Sequence, residues 1–125
     1  PQNPKTPQKS YIQLFITMKC LFFGSDLIST ITLKAFIRAE RNTKQFVPIQ
    51  IICPPNVKPR TPLAEFHNLV DMENLPITRL FTKTEDKNEL WDKIAEDISR
   101  EKFDIGIIAS FGHMIPNRVI DSFNL

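Results

Sequence analysis

The residues whose types and spacing could do chemistry gather in two short stretches, Gly24-Ser25-Asp26 and the run SFGHMIP at 110–116. In the first, one glycine makes a turn and Ser25 or Asp26 offers an oxygen able to cap a following helix. The amides and dipole of such a helix start favour an anion such as a phosphate. The three-glycine dinucleotide pattern is missing, so a nicotinamide site is not indicated, and a plain structural turn fits as well as a binding loop. In the second stretch, Gly112 lets the backbone approach a flat ligand while Phe111, Met114 and Ile115 offer an apolar wall. Polar recognition there falls to backbone amides and carbonyls. His113 lies on this loop and titrates near neutrality, but no Asp, Ser or Cys partner can be named that would make it a catalytic base.

The remaining reactive side chains read as structural. Cys20 and Cys53 lack C-x-x-C spacing and a histidine nearby in the sequence, which points to two reduced thiols of an intracellular protein and to no metal site. His67 falls on the inward face of its predicted helix and reads as a partly buried, hydrogen-bonded histidine, and Trp91 reads as core. Lys58 and Arg60, set among prolines, could touch a polynucleotide backbone, although a loop with two charges is more often simply solvated.

Both stretches need elements to hold them. Residues 19–23 (KCLFF) read as a strand, followed by a helix that Ser25 or Asp26 caps and that turns Leu27, Ile28, Ile31, Ala35 and Phe36 to the sheet before fading near Arg41-Asn42. A second strand over 46–53 carries Pro48 near its start or on an edge, and Pro54-Pro55 ends it. After a semi-rigid loop at 54–62, Leu63, Phe66, His67 and Val70 mark a helix to about Glu73. A third strand over 75–81 precedes a helix over 84–102 with Leu90, Trp91, Ile94, Ala95 and Ile98 on one face. Residues 103–110 (FDIGIIAS) form a continuously apolar run expected to be the central strand. This alternation predicts an α/β chain with a Rossmann-like open, mostly parallel sheet and helices on both faces. Ligands of such sheets sit at the carboxyl ends of the strands, which is where both stretches fall.

Composition bounds the partners. A chain of 125 residues is one domain's worth, and a net charge of +2 is too small to argue for nucleic acid by itself. Residues 11–23 are broken by Gln13, Thr17 and Lys19, so no membrane partner is expected. Residues 1–17 read as a leader or disordered segment, weakly like an organelle-targeting sequence without arginine, and Met18 could be an initiator. The domain is expected over 18–125.

Three segments in order, MKCLFFGSD followed by a helix, PPNVKPRTPLAEF, and FDIGIIASFGHMIPNRVIDSFNL, resemble the N-terminal part of the formyltransferase domain of methionyl-tRNA formyltransferase. The similarity spans Met18 to Leu125, and 104–116 carries the most specific pattern: Asp, apolar strand, Ala, an aromatic, Gly, two variable positions, Ile and Pro. The resemblance implies an incomplete formyltransferase fold in which Phe111, Gly112, His113, Met114 and Ile115 line a pterin pocket for 10-formyltetrahydrofolate. It implies that Gly24, Ser25 and Asp26 form a substrate loop, that Lys58 and Arg60 contact the tRNA acceptor arm, and that no metal takes part. In the family, the residues that hold the formyl oxygen and manage the amine's proton follow the position of Leu125, so no catalytic residue is expected here and the isolated chain is expected to be inactive. The implied parent is a eukaryotic mitochondrial matrix enzyme, monomeric, that formylates the amino group of initiator methionyl-tRNA. Another folate-dependent formyltransferase or hydrolase, and a non-catalytic folate-binding remnant, remain alternatives.

Overall fold

The computed structural model describes residues 19–43, 49–56, 58–83 and 86–123. Eight elements follow one another: β1 (Cys20–Gly24), α1 (Leu27–Thr43), β2 (Ile49–Cys53), α2 (Pro62–Met72), β3 (Ile77–Leu80), α3 (Lys87–Glu101), β4 (Ile105–Ala109) and the single turn α4 (Asn117–Ile120). The strands make one parallel sheet in the order β3-β2-β1-β4, with Cys20 paired to Ile49 on one side and to Ile105 on the other. The expected α/β architecture, an open Rossmann-like sheet with helices on both faces, is therefore present.

β1 is buried at every position because it is flanked by strands and covered on both faces. Its side chains alternate between two cores. Leu21 and Phe23 join Ile52, Leu90, Trp91, Ile94 and Ile98 beneath α3, while Cys20 and Phe22 join Leu33, Ile51, Phe66 and Val70 beneath α1 and α2. Caps set the helix starts. Thr61 accepts the Ala64 amide at 3.1 Å with Pro62 as the first helical residue of α2, and Asp86 accepts the Glu89 amide at 3.1 Å in front of α3. Lys102 ends α3 in the left-handed conformation, with φ 57°.

Two expectations are corrected. Strand β4 is not central but lies at an edge of the described sheet, with Ile108 55% exposed. After β3 the chain crosses back to the free side of β1, and an apolar run alone does not record on which side of the first strand it will pair. The inward face of α1 is also different. Leu27, Ile28, Ile31 and Ala35 are exposed, and Ser29, Thr30 and Leu33 are buried, followed by the half-buried Phe36 and Ile37. Ser29 Oγ ties this face of α1 to the sheet by donating to the Ala109 carbonyl, and the buried Thr30 hydroxyl is satisfied within the helix itself, donating to the Asp26 carbonyl at 3.1 Å. With their polar atoms satisfied, these small side chains pack against the sheet more closely than isoleucines would allow.

Pro48, the Phe46 end of the second expected strand, Thr84 and the segment 1–17 lie outside the described residues.

Candidate functional site

The order β3-β2-β1-β4 reverses at β1, so the loops leaving the carboxyl ends of β1 and β4 meet at the switch point, where an open α/β sheet usually forms the crevice that takes a ligand. The two stretches singled out in the sequence are these two loops. They are hydrogen-bonded to each other. Ser25 Oγ donates to the Ser110 carbonyl at 2.9 Å and to the Phe111 carbonyl at 3.2 Å, and Ser110 Oγ donates to Asp26 Oδ2 at 2.5 Å.

On its other side the Asp26 carboxylate caps α1. Oδ1 accepts the amides of Ile28 at 3.1 Å and Ser29 at 3.2 Å, and Ser29 Oγ accepts the Asp26 amide in return at 3.3 Å, a reciprocal pair of the capping-box kind. Slight burial works against the charge, but the bonds from Ser110, Ser29 and Ile28 outweigh it and hold the carboxyl below its ordinary range. The polar atoms of Ser25 and Asp26 are thus turned to the protein, joining loops and helix. Gly24 has a different role. It is buried, and a β-carbon there would come within 2.8 Å of the Phe66 ring, so the residue lets β1 and α2 approach.

The five residues of the second loop do not share one wall. Phe111 is buried, with its ring 5.6 Å from Phe23, 5.3 Å from Phe81 and 6.4 Å from Trp91, centroid to centroid, and belongs to the core beneath α3. His113 rests half-buried on Phe81 at 4.5 Å and on Phe111 at 5.3 Å. Burial first, and then the charges of Lys87 and Lys83, push its pKa down, so the ring is neutral at physiological pH. Gly112 adopts φ +82°, and a β-carbon there would meet no atom within 4 Å. Met114 is 92% exposed. Ile115 turns the other way, to a cleft of about 330 Å³ along β4 whose lining includes Phe23, Ile105, Gly106, Ile108 and Phe123. What the loop offers at the crevice is therefore an open stretch of backbone around Gly112, steadied by Phe111 and His113.

No family model, curated protein or solved structure matches the chain.

Lys58 and Arg60 are exposed on the loop after β2, which leaves the carboxyl end of a strand two places from β4 in the sheet. That loop is anchored by the Thr61 hydroxyl, which donates to the Lys58 carbonyl at 3.1 Å, and Arg60 takes φ 61°. The absence of a histidine near the cysteines holds only along the sequence. In space, His67 Nε2 lies 3.5 Å from Cys53 Sγ and 2.7 Å from the Pro54 carbonyl. Burial pushes the Cys53 thiol up to about 12, so no thiolate nucleophile is formed. Among the described residues no three His, Cys, Asp or Glu side chains gather as a metal site.

Sequence reasoning missed Ser29 and used Ser110 only to mark where the second loop begins. The available signal was the spacing Asp26-x-x-Ser29, which has the form of a capping box with serine in the third position. Nothing in the sequence announced that Ser110 would reach Asp26 across 84 residues.

Proposed function

We propose that the protein to which these residues belong transfers a formyl group from 10-formyltetrahydrofolate to the amino group of methionyl initiator tRNA, and that this chain contributes the N-terminal, folate-holding part of the formyltransferase domain. The reading rests on the motifs in 18–26, 54–66 and 103–125. The structural observation that supports it is the joining of the loops after β1 and β4 at the point where the strand order reverses. A flat pterin suits the backbone around Gly112, because no side chain of the protein occupies the space a β-carbon would enter.

In this proposal Gly112 and its neighbours hold the ring through backbone amides and carbonyls, and neutral His113 offers a hydrogen-bonding nitrogen without a charge. The folate donor supplies the formyl carbon and the methionyl amine accepts it. Lys58 and Arg60, exposed on the loop after β2, are the proposed contacts to tRNA phosphates. The mitochondrial matrix is the proposed setting.

Isothermal titration of the 125-residue chain with 5-formyltetrahydrofolate, a stable reduced folate, tests the reading. Saturable binding that is lost in Gly112→Val supports it. A folded chain that takes up no folate overturns it. Formylation of charged initiator tRNA by the full-length protein then separates the enzyme from a folate-binding remnant.

A further inference from the structure

We propose that Ser25, Asp26 and Ser110 are positioning residues of the crevice, a clasp that joins the loop after β1 to the loop after β4 and holds residues 110–115 in the conformation a folate would meet. This rests on the folate reading above and goes beyond it, because these side chains are assigned to shaping the loop and not to touching the ligand.

Three observations carry the inference. Ser110 takes φ 54° and Gly112 takes φ 82°, so two residues out of three are left-handed. For Ser110, which carries a β-carbon, that conformation is disfavoured and needs support from its surroundings. The support is visible on both sides of the residue. Its hydroxyl donates to Asp26 Oδ2 at 2.5 Å, and its carbonyl accepts from Ser25 Oγ at 2.9 Å. Finally, the same Asp26 carboxylate uses its other oxygen to cap α1, so the clasp is mounted on a helix of 17 residues and not on another free loop.

The two duties of Asp26 can be separated. In Asp26→Ser the shorter side chain still caps α1 but cannot reach Ser110, whereas Ser110→Ala deletes the same bond from the other end and leaves the cap alone. Because the Ser110 to Asp26 bond is solvent-exposed, losing it should shift the urea midpoint little. Loop conformation should respond more. The expected result is about fivefold weaker binding of 5-formyltetrahydrofolate in each single variant, and no further loss in the double variant, since both remove one interaction.

A second readout is independent of folate. The chain has two histidines, and the ring protons of His113 sit against Phe81 and Phe111, where aromatic ring currents displace their NMR signals. Both single variants should move those signals toward their random-coil positions while the His67 signals stay in place. Wild-type affinity together with unmoved His113 signals in both variants would overturn the clasp and leave the folate reading intact. Additive losses in the double variant would also overturn it. If the wild-type chain takes up no folate, the folate reading falls and the positioning role with it, whatever the His113 signals show of the clasp as a structural tie.

Discussion

Gly112→Ala separates the proposed site from the fold in a single methyl group. Gly112 sits at φ +82°, and its new β-carbon would meet no atom within 4 Å, so the cost to the fold is confined to the backbone. An alanine held at positive φ costs about 1 kcal/mol, which in a domain of this size lowers Tm by roughly 5 °C. Gly24→Ala is the control with the opposite balance. Its β-carbon would lie 2.8 Å from the Phe66 ring and 2.9 Å from the Phe22 ring, both fully buried, and overpacking of that kind costs about 2–3 kcal/mol. Urea unfolding followed through Trp91, the single tryptophan, gives both numbers. Titration with 5-formyltetrahydrofolate gives the other axis. Gly112→Ala should weaken binding at least tenfold, about 1.4 kcal/mol, because the methyl stands in the space assigned to the ring. Unchanged affinity in Gly112→Ala, or a loss of stability larger than that of Gly24→Ala, would refute the reasoning.

The remaining predictions concern groups whose surroundings fix their chemistry. Asp97, buried on α3, accepts Arg79 Nε and Arg100 Nη2 at 2.7 Å each, and Asp97→Ala should cost about 2 kcal/mol, less than a fully buried pair because the arginines reach solvent. Burial opposes its charge, but the two arginines outweigh burial and hold its pKa below the usual carboxylate range. The stabilisation should therefore be complete above the unfolded value near 4 and disappear as pH falls through the folded one, so that urea midpoints of wild type and Asp97→Asn converge in acid. Cys20 and Cys53, each pushed up to about 12 by burial, should ignore Ellman's reagent at pH 8 in the native protein and react fully in denaturant. His113 should titrate by NMR below the ordinary imidazole value, and Lys87→Gln should move it part of the way back, since burial also contributes. A midpoint that does not move would remove Lys87 from the neighbourhood of the ring.

The four strands and the three longer helices were legible because each carries its own signal, whereas the single turn α4 was not foreseen. The continuous apolar run at 103–110, the stripe from Leu90 to Ile98 and the prolines after Cys53 are local patterns, and the structure contains the corresponding strand, helix and loop. Less legible was everything decided by a partner distant in sequence. Hydrophobicity turns Ile28 and Ile31 of α1 inward, whereas the hydrogen bond from Ser29 to Ala109, 80 residues away, ties the opposite side to the sheet. The apolar composition of β4 points to the centre of the sheet, while its position follows from the chain's reversal after β3.

The same distinction explains the site. The position of its two loops was readable, since alternating strands and helices fix where carboxyl-end loops must lie. Its wall was not, because whether Phe111 lines a pocket or fills a core depends on Phe23, Phe81 and Trp91, which no spacing rule connects to it. A glycine is different: Gly112 contributes by what it leaves open, and a positive φ with empty space beyond it makes the same statement in sequence and in structure. Recognition at this crevice should therefore depend on the backbone around Gly112 and on the side chains that hold it, so that Ser110→Ala, which removes the bond to Asp26, weakens binding while Met114→Ala, at an exposed side chain of the same loop, leaves it nearly unchanged.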